Sequence, residues 1–393
     1  MENPELHLFI IWEHARYKEK EILENIQQNF EIKEVYEIKW DEKLFSNNLS
    51  RFYGTKLPDN SFKEKHCGKG KFLLIIVLDR TPQYFKRSTS RGEELVNTKM
   101  FDSKELYRSW TGGGHKVHGT NSPHETNHDI TLLLGIDSEE YLKYNYGKWE
   151  GDIKRIEKDI IGAKGWKNIG ELFYTLNNTI NYLVLRNFEC LPDEYNMKDH
   201  GDIDLLTDDY SNLCWIVNSK SVFKTKNRVH HVVKINNQDV FFDYRYVGDK
   251  YYDEKWQEEL LNTKELKKDI YYAPNDKEYF YSLLYHALIH KPYVSEDYLG
   301  RLYDLYLLNE GTPKMDYKEF SKVDSMYNLL NNFMFERGYS YTDPIDNSVF
   351  LNTKKVNIKI SLRRRLTLTV INTPEPVKKL VRPIKRSIFF RRP

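Results

Sequence analysis

His200-Gly201-Asp202-Ile203-Asp204-Leu205-Leu206 alternates acidic and aliphatic side chains. Successive side chains of a strand point to opposite faces. The run therefore reads as a β-strand that turns Ile203 and Leu205 into a core and sets Asp202 and Asp204 together on the other face. Two carboxylates that close repel each other unless a cation lies between them. Mg²⁺ meets that need, with Mn²⁺ as the alternative, because such ions bind through one or two carboxylates and substrate phosphates. His200 and Gly201 form the preceding turn, where a nucleotide meets backbone rather than a bulky side chain. The competing reading is a solvated acidic turn that also takes in Asp208 and Asp209. The alternation disfavours it, and Asp208 and Asp209 suit a helix start.

Toward the C-terminus, 228–235 and 240–246 read as a hairpin around Asn236-Asn237-Gln238. Val240-Phe-Phe-Asp-Tyr-Arg245 places Asp243 and Arg245 on one face and Val240, Phe242 and Tyr244 on the other, so Asp243 is the third acid. Lys234 is a point charge for a phosphate. His230 and His231 read as strand surface and core. Farther on, Phe280, Leu284, Leu288, Leu302, Leu305 and Leu308 recur at helical spacing and predict a helical cap.

Gly201-Asp-Ile-Asp-Leu-Leu206 with a strand-borne Asp243 resembles the nucleotidyltransferase superfamily of DNA polymerase beta type, over residues 165–295. The resemblance implies that Asp202, Asp204 and Asp243 carry the reaction and hold the metal. It also implies a nucleotide or nucleotide-activated donor and a hydroxyl acceptor on a glycan or small molecule. The family's Gly-Ser pair is absent, and Tyr182-Leu-Val-Leu-Arg-Asn-Phe-Glu189 stands in its region, so Arg186 is expected to contact phosphate instead. The segment is also similar to phosphocholine and phosphoribitol transferases of the LicD and fukutin type.

The N-terminal third has strand patterns at 6–11, 32–38 and 72–78 and a helical pattern through Ile22, Leu23, Ile26 and Phe30. Arg108-Ser-Trp-Thr-Gly-Gly-Gly-His-Lys-Val-His118-Gly-Thr-Asn-Ser122 resembles the active-site loop of nucleoside diphosphate kinases. That resemblance covers residues 5–135. It implies a ferredoxin-like fold with His118 as phospho-acceptor, Arg108 as phosphate contact and Asp129 as orienting acid. Trp12-Glu13-His14 stands where the family has Lys-Pro-Asp, and an acid there repels a γ-phosphate. A degenerate module that binds a nucleotide, a glycan or the partner domain is therefore favoured over an active kinase.

The expected organisation is α+β throughout. A ferredoxin-like, nucleoside diphosphate kinase-like domain spans 1–140 and a linker helix 141–165. A nucleotidyltransferase-like mixed-sheet domain spans 166–275, a helical cap and C-terminal extension 276–372, and a basic amphipathic tail 373–393. The 393 residues exceed the reach of one core. A net charge of +2 gives no overall electrostatic footprint for nucleic acid, so nucleic acid is not an expected partner. Cys67, Cys190 and Cys214 have no CxxC spacing, so neither a disulfide framework nor a zinc site is expected. No apolar run of about 20 residues crosses a bilayer and the start lacks signal-peptide character, which favours the cytoplasm. Residues 377–393 carry seven Lys or Arg, no acid and interleaved Ile388, Phe389 and Phe390. They are expected to touch an anionic membrane surface, with a solubilising end as the first alternative and RNA contact as the second.

The functional expectation is a metal-dependent transferase moving a nucleotidyl or substituted phosphoryl group to a hydroxyl, in surface glycan assembly. The alternatives are a nucleotide-binding interaction protein with degenerate sites, and a phosphohistidine kinase acting through His118.

Overall fold

The run Phe72-Leu-Leu-Ile-Ile-Val-Leu-Asp79 is strand β3 of the first sheet, and its unbroken apolarity has a structural cause. Phe72, Leu74 and Ile76 enter one core while Leu73, Ile75 and Val77 enter another, because helices cover both faces. In the computed structural model the described residues are 3–89, 92–144, 147–195, 202–224, 227–310, 314–353, 356, 358, 360, 364 and 365. The 373–393 tail, with the basic run expected to touch membrane, lies outside them. Among the described residues, no helix is long and apolar enough to cross a membrane.

The chain divides into two units. The first comprises Met1–Asn181, Asp209–Lys220 and Val233–Val240; the second comprises Tyr182–Asp208, Ser221–Val232 and Phe241–Pro393. In the first, β1 (Glu5–Ile11) leads through a 3₁₀ turn to α1 (Glu19–Asn29), β2 (Glu31–Lys39), α2 (Phe45–Phe52), α3 (Phe62–Cys67) and β3 (Phe72–Asp79). A hairpin of β4 (Tyr84–Thr89) and β5 (Gly92–Asn97) follows, then α4 (Thr98–Trp110), β6 (Val117–Gly119), α5 (Pro123–Leu134), α6 (Ser138–Tyr144), β7 (Lys154–Glu157) and α7 (Ile169–Thr179). The sheet order is β6-β1-β3-β2-β7. Its first four strands pair antiparallel in the split-βαβ order of a ferredoxin-like fold. Beneath one face lie Phe45, Leu49, Ile130 and Leu133; beneath the other lie Ile22, Ile26, Met100 and Tyr107.

The linker helix expected over 141–165 is not formed. Helix α6 ends at Tyr144, and Lys154–Glu157 pairs in parallel with the edge of β2, Lys154 opposite Tyr36 and Arg155 opposite Glu37. The charges that looked helical are matched across strands: Lys154 bonds Glu34, and Arg155 Nε lies 3.7 Å from Glu37. Ile156 meanwhile packs on the core. Tertiary pairing overrides the weak helix preference of Lys and Glu.

The second sheet runs β10-β11-β12-β9-β8, from β8 (Tyr182–Arg186), β9 (Ile203–Thr207), β10 (Lys220–Ser221), β11 (His230–Ile235) and β12 (Gln238–Tyr246). Helix α8 (Tyr210–Val217) follows β9. The expected hairpin is present, and both turn residues, Asn236 and Asn237, have positive φ, as a type I′ connection requires. Strand β8 pairs antiparallel with β9, and β12 pairs parallel with β9 so that Asp243 lies opposite Asp204. Next come α9 (Glu254–Asn262), a short hairpin of β13 (Glu265–Lys267) and β14 (Tyr271–Ala273), then the helices α10 (Asp276–Ile289) and α11 (Glu296–Glu310), followed by α12 (Tyr317–Phe320) and α13 (Val323–Arg337).

Candidate functional site

Strands β9 and β12 place their polar side chains on one face of the second sheet, in the register that sets Asp243 beside Asp204. Around Asp202, one ligand atom each from Asp202, His230 and Asp243 lies within 4.8 Å of the others. All three are half-buried. Burial first, and the neighbouring Asp243 second, push the Asp202 carboxyl above the usual carboxylate range, with His230 opposing. Asp243 Oδ1 is buried without a hydrogen-bond partner among the described residues and lies 3.7 Å from His230 Nε2. An orphaned carboxylate oxygen, a second carboxylate and an imidazole on one spot fit a divalent cation. A cavity of about 200 Å³ adjoins the cluster at Asp202, lined also by Asn187, Glu189, Tyr195, Asp297 and Arg301.

Asp204 has a different role from the one expected. It is 4% exposed and its Oδ1 accepts from Arg186 Nη2, opposite it in the β8–β9 register. Of the metal triad expected from Asp202, Asp204 and Asp243, the structure brings Asp202 and Asp243 together with His230, while Asp204 is bonded to Arg186. Burial raises the Asp204 carboxyl, as do Asp243 and Asp202, while Arg186 and Arg245 oppose the rise.

Arg186 and Arg245 are both buried and both lie over the ring of Tyr251, with guanidinium carbons 5.5 Å and 4.1 Å from its centroid. Arg245 Nη1 lies 3.8 Å from Asp249 and its Nη2 3.8 Å from Asp243. Tyr251 is in turn fixed by a 2.6 Å hydrogen bond between its hydroxyl and His286 Nδ1. Burial, followed by Arg186, pushes His286 well below the usual imidazole range, which keeps it uncharged beside two guanidiniums. Arg186 Nη1 and Arg245 Nε are buried without a hydrogen-bond partner among the described residues. Arg186, the expected phosphate contact, and its neighbour Arg245 thus retain unused donors.

His200 and Gly201 lie outside the described residues. Lys234 is exposed on β11 within the first unit, where its backbone carbonyl accepts from Trp166 N at 2.9 Å. His230 was read as mere strand surface. The alternation His230, Val232, Lys234 against His231, Val233, Ile235 carries a signal, since only one of two adjacent histidines can share a face with Asp243.

In the first unit His118 on β6 is 8% exposed and its Nε2 lies 2.7 Å from Asp129 Oδ2 on α5. Asp129 Oδ1 takes His128 Nδ1 at 2.9 Å. The aromatic rings of Phe52 and Tyr53 stand edge-on to the His118 imidazole. A cavity of about 510 Å³ opens there, lined by His118, His124, His128 and the carboxylates Glu94, Glu125, Asp129 and Asp209, with no Lys or Arg among the described lining residues. Arg108 is not in that lining. Its Nε donates to the Val117 carbonyl at 3.0 Å and its Nη1 to Glu105 at 2.7 Å. The phosphate contact expected of Arg108 is corrected to a clamp on the strand that carries His118.

No family model matches the chain, and no curated protein matches it. Among solved structures it is similar to the nucleoside diphosphate kinase of Aquifex aeolicus, at 17% identity over 32% of this chain and 92% of that one, with a TM-score of 0.23. A likeness of that degree says nothing of activity or ligand.

Proposed function

We propose that the protein is a metal-dependent transferase that moves a nucleotidyl or substituted phosphoryl group from a nucleotide-linked donor to a hydroxyl acceptor. The observation that carries this reading is the convergence of Asp202, His230 and Asp243 beside two buried arginines with unused donors. Asp202, His230 and Asp243 would hold the ion. Their mixed oxygen and nitrogen set suits Mn²⁺ better than Mg²⁺, which favours oxygen alone. A divalent cation there supplies charge neutralisation and Lewis-acid polarisation of a phosphoryl oxygen. Arg186 and Arg245 supply the fixed donors that a transferring phosphoryl group needs, held by Tyr251 and a neutral His286. The 200 Å³ cavity at Asp202, with Glu189, Asp297 and Arg301 in its wall, suits a polar, hydroxyl-bearing acceptor of small size.

Mn²⁺ binding followed by calorimetry, and metal-dependent consumption of nucleoside triphosphates or CDP-linked compounds, test the reading together. Both are expected in the intact protein and lost in D202N and D243N. Binding of metal with unchanged affinity in both variants would refute the assignment. Saturating Mn²⁺ at about 100 times its Kd should add about 2.7 kcal/mol of stability, visible in thermal scans and absent in D202N.

A second reading rests on His118, whose Nε2 is held by Asp129 while its Nδ1 has no hydrogen-bond partner among the described residues. That is the geometry of an oriented imidazole. A cavity lining free of Lys and Arg among the described residues favours a binding module over a kinase. Acid-labile labelling by γ-labelled ATP, lost in H118A, would reverse that preference.

A further inference from the structure

The segment that follows α13 brings a carboxylate to the metal cluster. Asp346 is 2% exposed, and its Oδ2 faces His230 Nδ1 at 3.8 Å. Both atoms are buried, and neither has a hydrogen-bond partner among the described residues. A buried acceptor and a buried ring nitrogen left orphaned opposite each other are each costly, and a movement of about 1 Å satisfies both. The other ring nitrogen, Nε2, is the one directed to Asp243.

Asp346 is itself firmly set. Its Oδ1 accepts from Ser348 N at 2.9 Å and Ser348 Oγ at 2.7 Å, and the Arg228 guanidinium lies 3.4 Å away. The preceding residue donates from Ile345 N to the Asp249 carbonyl at 2.9 Å, next to the ring that seats Arg245. Arg364 clamps the loop with three donations: Nε to Asp343 Oδ1, Nη1 to the Asn347 carbonyl and Nη2 to the Val349 carbonyl, at 2.6–2.9 Å. So much hydrogen bonding around one loop leaves one oxygen, Asp346 Oδ2, facing the imidazole alone.

We infer that Asp346 is the positioning residue of the metal centre: it accepts from His230 Nδ1–H, fixes the tautomer and aims Nε2 at the Asp202–Asp243 pair. A ligating histidine ordinarily gives its second N–H to such a carboxylate, which fixes the ring and raises its basicity. The inference rests on the metal reading proposed above. It adds that the C-terminal extension is part of the site.

Mn²⁺ calorimetry on the full chain separates the two ideas. D346N keeps the shape and one acceptor oxygen for Ser348, and it should weaken Mn²⁺ binding about 10- to 100-fold. D346E, which restores a carboxylate, should recover part of the loss. In an H230A background, D346N should change nothing further, because its partner is gone. Unchanged affinity in D346N, with D202N abolishing binding, would overturn the role of Asp346 and leave the metal site standing. An equal loss on adding D346N to H230A would make Asp346 merely structural and also overturn it. Binding that is absent from the intact protein, or indifferent to D202N, would remove the metal reading and this inference with it.

Discussion

Asp204 is buried against the Arg186 guanidinium, whereas Asp202, two residues earlier, faces Asp243 and His230, so one substitution should fail differently at the two positions. Removing one partner of a buried ion pair strands the other charge. D204A is therefore expected to lose about 3–5 kcal/mol in urea unfolding. D202N relieves a repulsion between carboxylates and should unfold within about 1 kcal/mol of the parent while losing Mn²⁺ binding. Equal stability of the two variants would show that Asp204 is not paired as described. Asp129 gives a pH test at the same scale. Burial opposes its ionisation, but the His118 and His128 imidazoles outweigh burial and hold the carboxyl below the usual range. A lowered folded pKa contributes stability that is fully present above the ordinary Asp value, about pH 4, and is lost as pH falls through the lower folded value. Thermal scans of D129N should show a smaller loss on acidification across that window than the parent; parallel curves would contradict the pairing.

Strand β7 decides a question at the scale of elements. Ile156 packs on the first core, while Lys154 and Arg155 pair with Glu34 and Glu37 on β2 from more exposed positions. I156D should cost about 1–2 kcal/mol, part of the worth of a fully buried Ile, whereas K154A should change stability by less than about 1 kcal/mol. If the two cost the same in urea, the segment is not the edge strand. The strip 154–157 also shows why reading the sequence fell short there. Four residues carrying two cations and an acid hold no period of their own, and only backbone pairing with β2 makes them a strand. By contrast β3 declared itself through length and apolarity, the Asn236-Asn237 turn through its tolerance of positive φ, and the Asp202–Asp243 pairing through period-two alternation on two strands. His230 was half legible, since face parity picks it out once β12 is placed. Asp346 was not legible at all: it reaches His230 from more than a hundred residues away in sequence, through a loop with no regular period. The bond from Arg108 to the Val117 carbonyl is not legible in the sequence, because a long side chain at a helix end meets a carbonyl as readily as a cavity.

At the scale of the whole chain, the two units are not consecutive in sequence, and the division expected at 140–166 does not separate them: the first unit also owns Asp209–Lys220 and Val233–Val240. Arg51 shows what this interleaving means energetically. It is fully buried on α2, its Nε donating to the Trp215 carbonyl at 3.1 Å and its Nη2 to the Ile161 and Ile216 carbonyls at 2.7 Å and 2.8 Å. Two of these three acceptors come from α8, more than 160 residues away in the chain. Burial alone pushes the guanidinium down to about 9, so the charge is held in place by those carbonyls. A fragment ending at residue 181 keeps the Ile161 carbonyl and loses the other two together with α8, so Arg51 keeps one of its three hydrogen bonds and loses the cover of that helix. The fragment is expected to unfold at lower urea than the first transition of the full chain. R51M should act unequally in the two settings: in the full chain it removes three hydrogen bonds and destabilises, whereas in the fragment it removes one and costs less. Paired urea titrations of the four proteins measure this directly. If R51M destabilises the fragment as much as the full chain, α8 contributes nothing through Arg51 and the 1–181 segment folds as a self-sufficient unit.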